Sequence, residues 1–273
     1  MKITVEYAKE VLEKIDSTLL RPDAVSADVE KLCHDASTAE FKAVCVNPVN
    51  IASAKAILKE TQVKVCAVIG FPLGEDMTAV KVFQAKKALK AGADELDVVM
   101  CISAAKMGRW DYVGKEIKKI TKLAKKAVVK VVIETCYLTE TEIKQACEAA
   151  VRNGARFVKS STGYGPTGAK VEDIELMHET VTEVLKTFKD DTARCEIKAS
   201  GGIKTYEQAR AFVEAGATRI GTSNAIDILE QSSLQQKPKE KRPTDESVKK
   251  AESKDEEAAE EEAEDEEVFS ELK

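Results

Sequence analysis

Short apolar segments, rich in β-branched residues, recur along the chain at intervals of roughly twenty to forty residues. Several of them are apolar at every position instead of at alternate positions, which is typical of parallel strands that helices cover on both faces. These segments predict β-strands at 42–47, 64–69, 95–100, 128–134, 156–161, 196–200 and 218–223, with a weaker strand at 14–20.

Longer segments with helical periodicity separate the predicted strands, and their ends carry recognisable capping residues. Thr139 with Glu142, and Thr205 with Gln208, have the spacing of a capping box at the start of a helix. The triplets AGA and NGA recur just before strands, where glycine is favoured at the end of a helix. Residues 1–16 also have the periodicity of an amphipathic helix. The chain therefore alternates strands with helices.

Repeated strand–helix units with eight strands predict an α/β fold, a (β/α)8 TIM barrel over residues 1–231 with an N-terminal helix. A doubly wound open sheet is the alternative. The barrel is favoured because no G-x-G-x-x-G motif follows the first strand, and because chemically reactive residues occur on many strands.

The last part of the chain, residues 232–273, differs in composition from the rest. Residues 237–273 contain 15 acidic and 8 basic side chains, a net charge of −7, whereas the whole chain has a formal charge of −6. The remainder is therefore nearly neutral, which gives no electrostatic basis for nucleic-acid binding. A segment so poor in apolar residues predicts a disordered acidic tail. A basic partner for this tail is a possibility that the sequence leaves open.

Other features exclude several classes of protein. No apolar run approaches the roughly 18 residues of a membrane helix, and the N-terminus has no apolar core typical of a secretory signal. Seven cysteines without C-x-x-C pairs predict free thiols in a reducing compartment, and hence a cytoplasmic location. Because the chain has only two histidines, we expect neither a zinc site nor a histidine-based triad.

Three apolar strands contain a lysine, and a fourth contains an aspartate: Lys130, Lys159, Lys198 and Asp97. Any one of these lysines could be a structurally paired core residue. Four charges on four strands are costly to bury unless they meet, and the strand ends of a barrel converge on one mouth. A lysine attacks a carbonyl only as the neutral amine, which a neighbouring ammonium and partial desolvation favour. The pattern predicts a Schiff-base site without metal or cofactor, in which Lys159 is the nucleophile, Lys198 its electrostatic neighbour and Asp97 a proton shuttle.

Glycine-rich segments follow the later strands: STGYGPTGA at 161–169, SGGIKT at 200–205 and GTSN at 221–224. These segments could be ordinary turns between strand and helix. Glycines also let backbone N–H groups approach an anion, and barrels often bind phosphate after strands seven and eight. We therefore expect a phosphorylated substrate.

The motifs FVKSSTGYGPTGA, IKASGGIKT, ADELDVVM, KVVIET, IDSTLLRPD and VCVNP together resemble the deoxyribose-phosphate aldolase family over about residues 8–228. The resemblance implies reversible cleavage of 2-deoxy-D-ribose 5-phosphate to D-glyceraldehyde 3-phosphate and acetaldehyde. It implies Lys159 as the imine-forming residue, Lys198 as the second lysine and Asp97 as part of the proton relay. An imine-forming aldolase for another phosphosugar, or an aldolase-like barrel with an interaction role for its tail, are the alternatives.

The resemblance also implies further site residues. Residues near the substrate pocket are Lys130, Asp16, Thr18 and Cys45, and residues of the phosphate-binding loops are Gly163, Gly201, Gly202 and Ser223. The chain departs from family patterns at Ser17, Tyr164 and Asn224, and its tail has no tyrosine. These departures bear on substrate preference, and a homo-oligomer is compatible with the family.

Overall fold

The computed structural model describes residues 5–188 and 193–236. The predicted disorder of the tail falls almost entirely on residues outside these ranges, so it stays a prediction, as does the domain boundary after residue 231. The last helix, Ala225–Gln236, extends beyond that boundary.

Eight parallel strands close into a barrel in chain order, because β1 pairs with β8 as well as with β2. The strands are β1 Ile15–Leu19, β2 Ala43–Val46, β3 Lys64–Ile69, β4 Glu95–Val99, β5 Val128–Val132, β6 Phe157–Lys159, β7 Glu196–Ser200 and β8 Arg219–Thr222. The (β/α)8 barrel is confirmed, and the alternative of an open doubly wound sheet is wrong.

Two strands end two residues earlier than their apolar segments predicted. The segment 128–134 forms a strand only to Val132, and the segment 156–161 only from Phe157 to Lys159. The residues that follow leave the sheet to build the mouth of the barrel; Glu134, for example, has a left-handed φ of 52°. Apolar composition alone does not reveal where a strand gives way to a loop.

Helices connect successive strands and form the outer layer. They are α1 Val5–Leu12, α2 Ser26–Thr38, α3 Ile51–Ile57, α4 Thr78–Lys90, α5 Ile102–Lys106, α6 Trp110–Ala124, α7 Glu140–Arg152, α8 Val171–Lys186, α9 Tyr206–Glu214 and α10 Ala225–Gln236. Both predicted capping boxes are present, at Thr139 and at Thr205. In the described part of the chain, none of these helices has the length and apolar character needed to span a bilayer.

Alternation along the strands divides the core into two regions. Val129 and Val131 of β5 belong to the large apolar cluster between the sheet and the helices, so Lys130 between them points into the barrel. Cys45 and Cys66 belong to a separate small cluster inside the barrel. The barrel interior is therefore where polar side chains collect.

A buried ion pair outside the barrel joins α4 to α6. Lys81 is 0% exposed, its Nζ lies 2.8 Å from Glu116 Oε1, and it donates to the carbonyl oxygen of Val99 at 2.9 Å. Thr78 donates its hydroxyl to the other carboxylate oxygen of Glu116 at 2.9 Å. Removing one charge of such a pair leaves the other buried without compensation.

We expect Lys81→Met to lower the free energy of unfolding by about 3 kcal/mol, because the buried carboxyl group of Glu116 would lose its cationic partner. Urea denaturation measures this change. Lys31→Met is the matched control: its pair with Asp35 is exposed and contributes about 0–1 kcal/mol. Equal losses in the two variants would contradict the assignment, and the double variant Lys81→Met/Glu116→Gln should recover part of the loss.

Candidate active site

A cluster of charged side chains fills the barrel interior. Four cations face three carboxylates; these residues are Lys130, Lys159, Lys198, Arg219, Asp16, Glu95 and Asp97. Strand register brings them together, since Asp97 pairs with Lys130 across β4 and β5, and Lys159 pairs with Lys198 across β6 and β7. All seven side chains are buried.

Asp97 is the common partner of the three lysines. Its Oδ1 accepts from Lys130 Nζ at 2.8 Å, and its Oδ2 accepts from both Lys159 Nζ and Lys198 Nζ at 2.8 Å. The two lysines singled out by the sequence therefore share one carboxylate oxygen. An anion between them offsets the repulsion that two neighbouring ammonium groups would otherwise exert.

Two further carboxylates complete the cluster. Asp16 contacts Lys198 Nζ at 2.5 Å and also pairs with Arg219. Glu95 contacts Lys130 at 2.6 Å and Arg219 at 2.8 Å. The sequence-based reasoning missed Glu95 and Arg219, although each shows the same signal as the lysines, a charged residue within a predicted strand.

The electrostatics of the cluster keep most members ionised. Burial by itself would raise the pKa of Asp97, but the three lysine charges outweigh it and hold that pKa well below its usual range. Burial would likewise lower the pKa of Lys198, yet Asp16 and Asp97 raise it above its usual value. Burial would also lower the pKa of Lys130, but the neighbouring negative charges, above all Asp97, raise that pKa above its usual value.

The cluster nevertheless carries one more cation than anions, since four positive side chains face three negative ones. Among the described residues, Lys159 contacts one carboxylate, whereas Lys198 contacts two and Lys130 contacts three. Lys159 is therefore the amine of the cluster that the fewest carboxylates hold.

Two thiols lie beside the same aspartate. Cys66 Sγ donates to Asp97 Oδ1 at 3.0 Å, and Cys45 Sγ lies 3.9 Å from Oδ2. Burial raises the pKa of the Cys66 thiol. These three residues are the one group in the described ranges with the spacing of metal ligands. Three ammonium groups already occupy the oxygens of Asp97, and a cation there would meet their repulsion. The site therefore offers no good place for a metal ion.

A cavity of about 380 Å³ opens above Lys159 at the carboxyl ends of β1, β6, β7 and β8. It is lined by six of the residues that the sequence singled out, Thr18, Lys159, Gly163, Gly201, Gly202 and Ser223. Asp16, Cys45, Asp97, Lys130 and Lys198 do not line it and lie in the buried cluster. Lys159, which is 3% exposed, is the member of the cluster that reaches the cavity.

The cavity also contains residues that sequence reasoning did not single out. Arg21 and Lys204 bring two further basic groups to its wall. Tyr164, at which the chain departs from the family pattern, donates its hydroxyl to the carbonyl oxygen of Leu20 at 3.0 Å and packs edge-on against Phe71. This tyrosine thus ties the loop after β6 to the loop after β1.

The glycine-rich segments approach each other too closely for side chains. A Cβ on Gly168 would lie 2.1 Å from the carbonyl oxygen of Gly201, and Gly201 itself has a left-handed φ of 94°. Ala169 donates its N–H to that same carbonyl at 3.1 Å. Glycine is required at both positions because backbone meets backbone there.

The amine at the floor of the cavity can attack a carbonyl compound covalently. The backbone and basic groups that face it can bind an anionic group of the same compound.

Comparison with known proteins agrees with this chemistry. The model of the DeoC/LacD family aldolases matches residues 11–229. A deoxyribose-phosphate aldolase of Thermococcus gammatolerans is 51% identical over 225 residues, which cover 81% of this chain and 96% of that protein. The corresponding enzyme of Carboxydothermus hydrogenoformans is 48% identical over 224 residues, covering 81% of this chain and 94% of its own.

A solved structure, the tetrameric deoxyribose phosphate aldolase from Aeropyrum pernix, superposes with a TM-score of 0.75 at 35% identity, covering 83% of this chain and 92% of that chain. The matched residues include every strand of the barrel and all seven members of the charged cluster. The chain therefore belongs to the DeoC/LacD family of aldolases.

Proposed function

We propose that this chain reversibly cleaves 2-deoxy-D-ribose 5-phosphate to D-glyceraldehyde 3-phosphate and acetaldehyde, with Lys159 as the imine-forming residue. The curated relatives that match most of the chain are named for this activity. The observation that carries the residue assignment is the position of Lys159, which alone in the charged cluster lines the glycine-walled cavity.

The reaction proceeds through the open-chain aldehyde of the sugar. The Lys159 amine attacks C1, water leaves, and the protonated imine becomes an electron sink. A base removes the proton of the C3 hydroxyl, the C2–C3 bond breaks, and its electrons form an enamine while D-glyceraldehyde 3-phosphate departs. Protonation of the enamine at C2 and hydrolysis of the imine then release acetaldehyde and restore the amine.

The buried cluster supports these steps in two ways. Asp97 contacts Lys159 Nζ at 2.8 Å and holds the nucleophile at the floor of the cavity. Lys198 and Asp97 share a hydrogen bond of 2.8 Å, so a proton given up by the Lys198 ammonium leaves that amine paired with a carboxylate. Asp97 is a weak base by itself, because its pKa is held low. In this proposal Asp97 contributes to the relay by orienting Lys198.

The other pocket residues have supporting roles. Lys130 and Asp16 hold Asp97 and Lys198 in place. Thr18 lines the cavity, and Cys45 packs below it beside Asp97.

The phosphate group is assigned to the far wall of the cavity. Gly163, Gly201, Gly202 and Ser223 present backbone or a small side chain there, and Lys204 adds a positive charge. Helix α10 begins at Ala225, just after Ser223, and the N-terminus of a helix favours an anion.

Assembly, location and the tail are further proposals. The tetramer named for the Aeropyrum pernix relative supports a homo-oligomer here. A cytoplasmic location and a basic partner for residues 232–273 rest on sequence composition, and the tail falls almost wholly outside the described residues.

Acetaldehyde release from 2-deoxy-D-ribose 5-phosphate tests the proposed function directly. We expect the wild-type protein to release acetaldehyde and Lys159→Ala to lower kcat by about 10³-fold or more, because the covalent route is lost. Lys144→Ala, which removes an exposed lysine from α7, is the matched control and should keep full activity. Assays with other phosphosugars test the alternative of an imine-forming aldolase for a different substrate, because such an enzyme would not release acetaldehyde.

Lys204→Gln should raise KM for 2-deoxy-D-ribose 5-phosphate by about tenfold, because a charge-assisted contact to phosphate is removed. The unphosphorylated sugar, 2-deoxy-D-ribose, should be cleaved with unchanged kcat/KM. Steady-state kinetics on both sugars make this comparison, and equal effects on both would remove Lys204 from the phosphate site.

A further inference from the structure

Glu134 has an unusual backbone and an unusual burial for a glutamate. It follows β5 by two residues, has a left-handed φ of 52° and is 2% exposed. The other non-glycine residues with positive φ in the described ranges, Glu40 and Lys125, are exposed. Such a conformation is costly outside glycine and persists where the surroundings demand it, often at functional sites.

The carboxylate of Glu134 holds the loop that follows Lys159. Thr162 donates its backbone N–H to both carboxylate oxygens at 3.2 Å, and its hydroxyl makes a further short contact with Oε2. The same hydroxyl oxygen accepts the backbone N–H of Tyr164 at 3.0 Å. One side chain thereby fixes the backbone on both sides of Gly163.

The packing around this carboxylate leaves little freedom to the loop. A Cβ on Gly165 would lie 2.7 Å from Cys136 Sγ and 3.2 Å from Glu134 Cδ, so the loop lies directly against both side chains. Glu134 thus packs against Gly165 in addition to its hydrogen bonds with Thr162.

The loop is also a partition between two cavities. Thr162 and Tyr164 line both the cavity above Lys159 and a neighbouring cavity of about 400 Å³, whereas Gly163 lines only the first and Glu134 only the second. Glu134 therefore stands behind the wall of the active-site cavity and does not enter it.

We propose that Glu134 is a positioning residue for the substrate's phosphate, acting through Thr162 to hold Gly163 in the phosphate-binding wall. This inference rests on the proposed function. Burial raises the pKa of Glu134. Glu134 hydrogen-bonds to Thr162, whereas Lys159 acts on it only through its charge, so we expect the main effect of Glu134 on phosphate recognition.

The test compares two sugars that differ only by the phosphate, 2-deoxy-D-ribose 5-phosphate and 2-deoxy-D-ribose. We expect Glu134→Leu to raise KM for the phosphorylated sugar by about tenfold, the scale of one lost hydrogen bond to a charged group. For the unphosphorylated sugar, kcat/KM should stay within about twofold of wild type. Glu134→Gln keeps an oxygen acceptor for the N–H of Thr162, so it should restore most of the lost affinity.

Thr162→Val provides a second, milder variant. It keeps the backbone N–H and removes the hydroxyl, so KM for the phosphorylated sugar should rise by about threefold. This variant keeps the test decisive if Glu134→Leu does not fold.

Binding of inorganic phosphate, measured by calorimetry, separates this inference from the proposed function. If the wild-type protein cleaves neither sugar, the proposed function fails. The positioning role would still be supported if Glu134→Leu binds inorganic phosphate more weakly than Glu134→Gln does. Equal losses on the two sugars, or unchanged phosphate binding in every variant, would overturn it.

Discussion

The carboxylate of Asp97 is the interaction on which the site depends. It lies inside a closed barrel and accepts hydrogen bonds from three ammonium groups, each at 2.8 Å. Without it, Lys159 would lose the carboxylate that it contacts and Lys198 would keep only Asp16, and the protein interior strongly disfavours buried charges without partners. With it, the three lysines are buried yet hydrogen-bonded to one carboxylate, and Lys159 is held where it reaches the cavity.

Barrel topology makes this arrangement possible. Residues that are far apart in sequence, such as Asp16 and Arg219, meet because β1 and β8 are neighbours in the closed sheet. The same topology gathers the loops after β6, β7 and β8 above the cluster, where glycines allow backbone to approach backbone. The strands therefore carry the buried charge at the floor of the cavity, and the loops at the carboxyl ends of the same strands form its glycine-rich wall.

Much of the fold and of the candidate site can be predicted from the sequence, because the residue patterns that indicate them are local. Apolar segments fixed the number and order of strands, and a lysine within an apolar strand is conspicuous by its cost. Glu95 and Arg219 are also charged residues within predicted strands, but the predicted chemistry gave them no role. Their partners depend on the register of neighbouring strands, which cannot be seen in the sequence. The apolar pattern predicts Glu134 as the last residue of a strand; its left-handed backbone depends on the tertiary contacts of its carboxylate. That Lys159 and Lys198 donate to the same oxygen of Asp97 likewise depends on side-chain geometry, which the sequence does not show.

The most direct test of this account identifies which lysine forms the covalent bond. The protein is incubated with acetaldehyde, reduced with borohydride and digested, and the modified peptide is mapped by mass spectrometry. The account predicts an ethyl group on the peptide that contains Lys159, and its loss in Lys159→Arg. Modification of Lys198 or Lys130 instead, or an undiminished adduct in Lys159→Arg, would contradict it.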